Sequence, residues 1–251
     1  SRTESIKVIE TEIQKIIRQL EKYNQDIDLI DENIKLLEGN LAPIRDAAGI
    51  IEKTISVVKG ASTFIPGPIG SKININLAFT QIKLDEIDSI LLRMEDLTVI
   101  QQEMDDSQKR INSLYEEYKK EKSIEQLLLI EEELNSNLIY QIEDLRNITM
   151  EAHEVFELSS SILNSINTAT SLFNSAQEKS GAALDIIQFW KDNKEETEIE
   201  PDIKEDLEAS KEEIKDLPNE LAQQSKDSIT SINKVQKELQ TLRIAEMVIG
   251  E

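Results

Sequence analysis

Apolar residues in the first sixty positions recur in alternating steps of three and four. One column reads Ile6, Ile13, Leu20, Ile27, Ile34, Leu41, Ala48 and Ile55, and the other Ile9, Ile16, Tyr23, Ile30, Leu37, Ile44, Ile51 and Val58. Such a sustained heptad pattern predicts one long helix over residues 5–60 with one side buried. At 1.5 Å per residue that helix is about 80 Å long. Gly39, Asn40 and Pro43 fall inside it. Proline removes a backbone donor and crowds the preceding turn, yet the ladder keeps its phase through Leu41 and Ile44. The expectation is therefore a bend near residues 39–43 and no new element.

Val8, Leu29, Leu36, Ile50 and Val57 add a second apolar column beside the ladder. A stripe that wide calls for more than one neighbouring helix. The flanks of the seam are mostly acidic: Glu10, Glu12, Asp26, Asp31, Glu38 and Glu52 stand against Arg45 and Lys59. A parallel homodimer would set acid against acid there, so the pattern points to a monomeric, intramolecular bundle.

Residues 61–71 hold two prolines and two glycines within five positions and stop any helix. A second helix is expected over 72–121, with Leu77, Leu84, Ile87, Leu91, Met94, Leu97, Met104, Ile111, Leu114 and Tyr118 inward. Its phase slips by about one position between Leu91 and Leu97, as a stammer or a change of neighbour produces. Ser123 and Gln126 fit a capping box and predict a tight helix–helix turn. The third helix, 124–190, carries Leu134, Leu138, Leu145, Ile148, Val155, Ile162, Ile166 and Phe173. Its later half turns small at Ala152, Ser159, Ala169 and Ala176. Leu184, Ile186, Ile187, Phe189 and Trp190 then form the richest apolar cluster. An acidic linker, 191–203, leads to a fourth helix, 202–247, which Pro201 opens. Leu207, Ile214, Leu217, Leu221, Ile229, Ile232, Val235, Leu239 and Leu242 face inward, and Pro218 kinks or interrupts it.

The fold expected is all-α: an elongated, antiparallel up-down-up-down bundle of four long coiled-coil-like helices, one domain over 1–251. Composition agrees, with 39% apolar, 4% aromatic, 7 glycines and 5 prolines in 251 residues. The net charge of −22 and the absence of a basic patch argue against a nucleic-acid partner. Cysteine is absent, so no disulfide or thiol chemistry is expected. The chain opens at Ser1 inside helical pattern, which suggests a fragment of a larger protein set between membrane anchors. Localisation is then extracellular or membrane-tethered.

Few residues invite chemistry. His153 is the one histidine, too few for a di-iron pair, a zinc centre or a Ser-His-Asp triad, and it reads as a partly exposed helix residue. Asp26, Asp28, Asp31 and Glu32 lack the calcium-loop glycine and read as a solvated face. Gly67, Pro68 and Gly70 lack a phosphate-loop ending. Asn147 begins a glycosylation triplet inside a helix. No catalytic, cofactor or metal residue is expected. The candidate contact with a partner or membrane is the tip: Phe64, Ile65 and Ile69, ending an apolar stretch over 55–69. Alternatively these pack on Ile186, Ile187, Phe189 and Trp190. The function expected is a non-enzymatic rod that spaces, tethers or relays within a larger protein. The alternative is a membrane-active protein, pore-forming or remodelling, that uses the 55–69 tip.

Overall fold

A computed structural model of the chain describes the backbone of residues 1–60, 67–180 and 192–250 and most of their side chains. It is an all-α helical bundle, with no strand among the described residues. The helices are α1 (Arg2–Gly60), α2 (Gly67–Met94), α3 (Asp96–Glu121), α4 (Ile124–Glu133), α5 (Ile139–Ser180), α6 (Pro201–Ile214) and α7 (Leu217–Gly250). Leu134–Leu138 form a π-helical turn between α4 and α5, and Lys194–Thr197 a 3₁₀ turn before α6. These make up four long helical stretches: α1, α2–α3, α4–α5 and α6–α7.

The breaks have local causes. Glu95 interrupts α2–α3 for a single residue, inside the interval where the heptad phase slips. Lys122 adopts φ 55°, ψ 32°, and its N–H reaches Tyr118 O at 2.7 Å, a left-handed C-cap. Ser123 Oγ then accepts from Glu125 N at 3.3 Å and starts α4. Gln126 does not close the capping box; its amide donates to Glu121 at 2.8 Å. Pro201 occupies the first turn of α6. Pro218 sits in the first turn of α7, just after a two-residue interruption at 215–216. α1 runs unbroken through Gly39, Asn40 and Pro43.

The chain divides into two compact units. Unit 1 comprises Ser1–Asp31, Arg93–Glu151 and Asp216–Glu251, and unit 2 Glu32–Leu92 and Ala152–Lys215. In unit 1, Gln14 bonds Tyr115, Asn24 bonds Gln108, and Gln101 bonds Asp28. Partners on α3 descend as α1 ascends, so the two are antiparallel. α7 is likewise antiparallel to α1, through Arg2–Glu246, Glu12–Lys234 and Gln19–Ser228. α4 packs on both α3 and α7. In unit 2, Arg45–Asp88 and Gln81–Glu52 set α2 antiparallel to α1. Asn76 Nδ2 donates to Ser165 O of α5 at 2.6 Å, and Lys211 of α6 pairs with Glu157 of α5 at 3.3 Å.

The ladder is the core. Every one of its positions from Ile9 to Ile51 is buried, Ile6 is half-buried, and the side chains of Ile55 and Val58 lie outside the described residues. Burying one such side chain contributes roughly 1.5–3 kcal/mol. The second apolar column is different. Ile50 is buried and Leu29 half-buried, but Val8 and Leu36 are 37% and 49% exposed. The column buried beside the ladder is instead a third one, Ser5, Glu12, Asp26, Asn33, Ala47 and Thr54, with Gln19 and Asn40 half-buried. It lies one residue before the first ladder column, between the ladder and the column of Val8 and Leu36. Similar exchanges occur elsewhere: Ile229 is 38% exposed while Ser228 is buried, and Ile90 replaces half-buried Leu91 in the core.

These placements separate two substitutions that look alike in sequence. Ile27→Ala should lower stability by about 2–5 kcal/mol, whereas Leu36→Ala should stay within about 0.5 kcal/mol. Urea denaturation of both checks it; equal losses would contradict the burial. Lys122→Gly relieves a left-handed side chain, worth about 1 kcal/mol, but gives up its contacts with Glu10 and the Tyr118 ring, so its net change in the same assay should stay within about 1 kcal/mol.

Candidate functional site

The tip residues come first. Phe64 and Ile65 lie outside the described residues; Ile69 falls in α2, but its side chain lies outside them. The packing alternative involving Ile186, Ile187, Phe189 and Trp190 also lies outside them.

The chemistry that is described lies along the third column of α1, where it meets α7 in unit 1. Glu12 is 4% exposed and Asp26 2%. Both carboxylates sit on a helix face that carries isoleucine one position later, so the heptad that buries the ladder drags them inward. Each has a local cation. Lys15 Nζ reaches Glu12 Oε1 at 3.3 Å, and Lys22 Nζ donates to Asp26 Oδ1 at 3.0 Å. Their long stems let the ammonium groups stay in water while neutralising a buried charge.

Between the two carboxylates runs a hydroxyl relay. Ser228 Oγ donates to Gln19 Oε1 at 2.6 Å, which leaves Tyr23 the donor in its 2.7 Å bond to Ser228. Ser228 therefore occupies a core position because a tyrosine hydroxyl in the ladder needs an acceptor. Burial pushes the Tyr23 phenol up to about 12, with Asp26 and Asp227 adding to it and Ser228 and Ser225 opposing it. It stays protonated at neutral pH and is no base.

Glu12 and Asp26 shift in opposite directions. Burial would raise Glu12, but hydrogen bonds from Ser231 and Lys15 and the charges of Lys15 and Lys234 hold it below the usual carboxylate range. Burial raises Asp26 and Glu220 adds to it, against the pull of Lys22 and Gln224. Asp26 Oδ2 is enclosed without a hydrogen bond, as are Gln224 Oε1 and Ser225 Oγ on the facing stretch of α7. A carboxylate oxygen enclosed without a hydrogen bond favours the protonated acid.

At the far end of α3, Tyr118 donates to Glu10 Oε1 at 2.7 Å, and Lys122 Nζ stands 3.5 Å from the same oxygen. The rings of Tyr115 and Tyr118 stack at 5.9 Å, with Lys119 and Lys122 over them. Burial and the Glu10 carboxylate raise the Tyr118 phenol. This cluster clamps α1 to the α3–α4 turn.

The surface depressions are shallow. One of about 500 Å³ in unit 2 is lined by Pro43, Arg45, Asp46, Gly49, Ile50, Lys53 and Glu198. Another of about 320 Å³ in unit 1 lies between α3 and α5, where Arg93 Nε donates to Glu151 at 2.8 Å. It includes Asp96, Glu103 and Asp144, but among the described residues no group of three or more His, Cys, Asp or Glu is arranged to hold a metal ion. No helix among them is long and apolar enough to cross a membrane. His153 is half-buried, 4.0 Å from Glu157. Of the acidic group in α1, Asp28 and Glu32 are exposed and Asp31 is half-buried. Asp26 corrects the solvated-face reading: its place in the third column, one residue before Ile27, turns it inward. A heptad count of polar and small residues would have found it.

Comparison with protein-family models, curated proteins and solved structures found no match for this chain.

The two carboxylates respond to pH with opposite signs. The Asp26 pKa is raised in the folded state, so its contribution is most favourable in acid and weakens as pH climbs from its usual value of 3.8 through the raised one. Glu12, lowered, contributes above its usual 4.5 and loses this as pH falls through the lowered value. Asp26→Asn should therefore stabilise the chain at pH 7, with the gain shrinking as pH falls toward 4. Thermal melts across that range check it; a gain independent of pH would contradict the assignment. Tyr23→Phe should cost about 0.5–1.5 kcal/mol at either pH in the same melts.

Proposed function

We propose that this chain is a non-enzymatic helical module that spaces, tethers or relays between other parts of a larger assembly. One observation carries this reading: the buried titratable side chains join helices to one another. Glu12 meets Lys234 and Ser231 across the α1–α7 seam, Tyr23 meets Ser228 there, and Tyr118 meets Glu10 across α1–α3. Enzymes hold perturbed groups at a cleft that substrate can enter. Here they hold the bundle together instead.

A spacer must keep its parts at a fixed separation. The chain has no cysteine, so paired labels are simple to install. Lys109→Cys in unit 1 and Thr168→Cys in unit 2 replace exposed residues. A single narrow distance distribution between spin labels at the two sites is expected. A broad or multiple distribution overturns the spacer reading, and turnover in a substrate screen overturns the non-enzymatic one.

A second reading, membrane contact, is favoured by a different observation. From Lys53 to Leu84 the chain carries four lysines, Lys53, Lys59, Lys72 and Lys83, and not one Asp or Glu. The rest of a chain with 50 acidic residues shows no comparable stretch that is both acid-free and lysine-bearing. Phe64, Ile65 and Ile69 fall inside it. Flotation of the full chain with lipid vesicles, compared with Phe64→Glu and Ile65→Glu, tests this reading. Association in the wild type that either variant weakens supports it, and no association of the wild type ends it.

A further inference from the structure

The first half of α2 exposes an apolar face. Ile75, Phe79 and Ile82 are 70%, 46% and 60% exposed, at the i, i+4, i+7 spacing that aligns side chains along one side of a helix. Ala78 lies among them and is also exposed. Exposed apolar residues scattered singly need no explanation, but three large ones in register on adjacent turns do. The opposite side of α2 is occupied: Thr80, Leu84 and Ile87 are buried.

The charges around this face are one-sided. Lys72 precedes the stripe by one turn and is exposed. Lys83 closes it, with its ammonium 3.9 Å from the centroid of the Phe79 ring. That position holds a cation beside an aromatic ring, as residues do at a lipid interface. Asp85 and Glu86 are the first acids along the helix, beyond the stripe.

The neighbouring helix continues the pattern. α5 lies beside α2 at the Asn76–Ser165 hydrogen bond, and from Leu158 to Gln177 it contains no charged residue and no histidine. Its exposed side there offers Asn164, Asn167, Thr168 and Ser171, which line a shallow neutral groove. The acids that border these two stretches are Glu52, which accepts from Gln81 at 3.2 Å, Asp85 and Glu86 just beyond the stripe, and Glu157 and Glu178 at the ends of the uncharged part of α5. A chain of net charge −22 repels an anionic surface unless its acids are kept away from the contact. Two stretches adjacent in unit 2 keep them away.

We infer that the Ile75–Phe79–Ile82 face of α2, flanked by Lys72 and Lys83, docks on the surface of an anionic phospholipid bilayer. The apolar side chains enter the headgroup boundary, and the ammonium groups meet lipid phosphates. No transmembrane insertion of α2 is involved. The inference rests on the membrane reading above and narrows it to one face and one lipid class.

The test is co-sedimentation of the full chain with phosphatidylcholine vesicles with and without about one third phosphatidylserine, at about 0.02 M and about 0.5 M salt. Binding is expected to the anionic vesicles and to fall at high salt. Phe79→Glu/Ile82→Glu should abolish it, and Lys72→Glu/Lys83→Glu should weaken it by about tenfold or more. Leu36→Glu, exposed on α1, should leave it unchanged. Circular dichroism confirms that each variant keeps its helix content. If Phe64→Glu/Ile65→Glu abolishes binding and the α2 variants do not, the membrane reading survives and the α2 face is wrong. If wild-type chain ignores vesicles, both are wrong. Two outcomes give the face to another occupant and overturn the inference. One is a concentration-dependent dimer, seen by sedimentation velocity and lost in the Phe79→Glu/Ile82→Glu variant. The other is a loss of stability in that variant with a red shift of Trp190, the only tryptophan, which would mean that the chain's own 184–190 segment covers it.

Discussion

Burial of the isoleucine–leucine ladder of α1 is the constraint on which the other helices depend. In unit 1, α3 and α7 both run antiparallel to α1 and meet it through named pairs, and in unit 2 α2 does the same. Helices of this length are held mainly by packing of an apolar stripe, not by intrinsic propensity. Packing the side-chain ridges of one helix into the grooves of another favours a small set of crossing angles. Where a neighbouring helix also covers the residues one position before the ladder, those residues go inward as well.

That burial explains the polar interior. Glu12, Gln19, Asp26, Asn33 and Thr54 recur at the heptad step just before the first ladder column. A buried polar group without partners costs roughly 1–3 kcal/mol, so α7 answers with serines at 225, 228 and 231 where leucines would otherwise serve. Compensation is complete at Glu12, where two lysines and a serine surround the carboxylate. It is incomplete at Asp26, whose second oxygen lacks a donor. Burial, with Glu220 adding to it, wins at Asp26, whereas the lysines and Ser231 outweigh it at Glu12, so one acid is shifted up and the other down. A polar seam also specifies register: sliding α7 by one residue would replace Ser228 with Ile229 against the Tyr23 hydroxyl. That specificity is a role that buried polar groups serve in other helical assemblies.

The distribution of charge obeys a second, independent constraint. Fifty acidic residues give a long helical chain a strongly negative, hydrated surface. They are withheld from Lys53–Leu84 and from Leu158–Gln177, and Asn76 and Ser165 tie those stretches together. Packing does not demand this, since Ile75 and Ile82 of α2 are exposed. The omission is what separates this region from the rest of the surface.

By itself the sequence determined the helices and most of their core. The 3–4 spacing of α1, the Ser123 cap and Pro201 are local signals, and each acts through backbone geometry or apolar periodicity that no distant contact alters. The Pro/Gly cluster was expected to stop any helix over 61–71, but Gly67, Pro68 and Gly70 form the first turn of α2, where a proline costs no backbone hydrogen bond. The phase slip between Leu91 and Leu97 likewise marked the interruption at Glu95, which lies three residues from the point where the chain passes between units. Tertiary structure decided how far around the helix the buried stripe extends. Val8 and Leu36 looked like core and are exposed, while Glu12 and Asp26 looked like surface and are buried. Hydrophobicity read along one helix gives the centre of the buried stripe, but its edges depend on where the neighbouring helices lie. The same holds for Ser228 over Ile229, because the hydroxyl that needs it belongs to Tyr23, two hundred residues away in the chain.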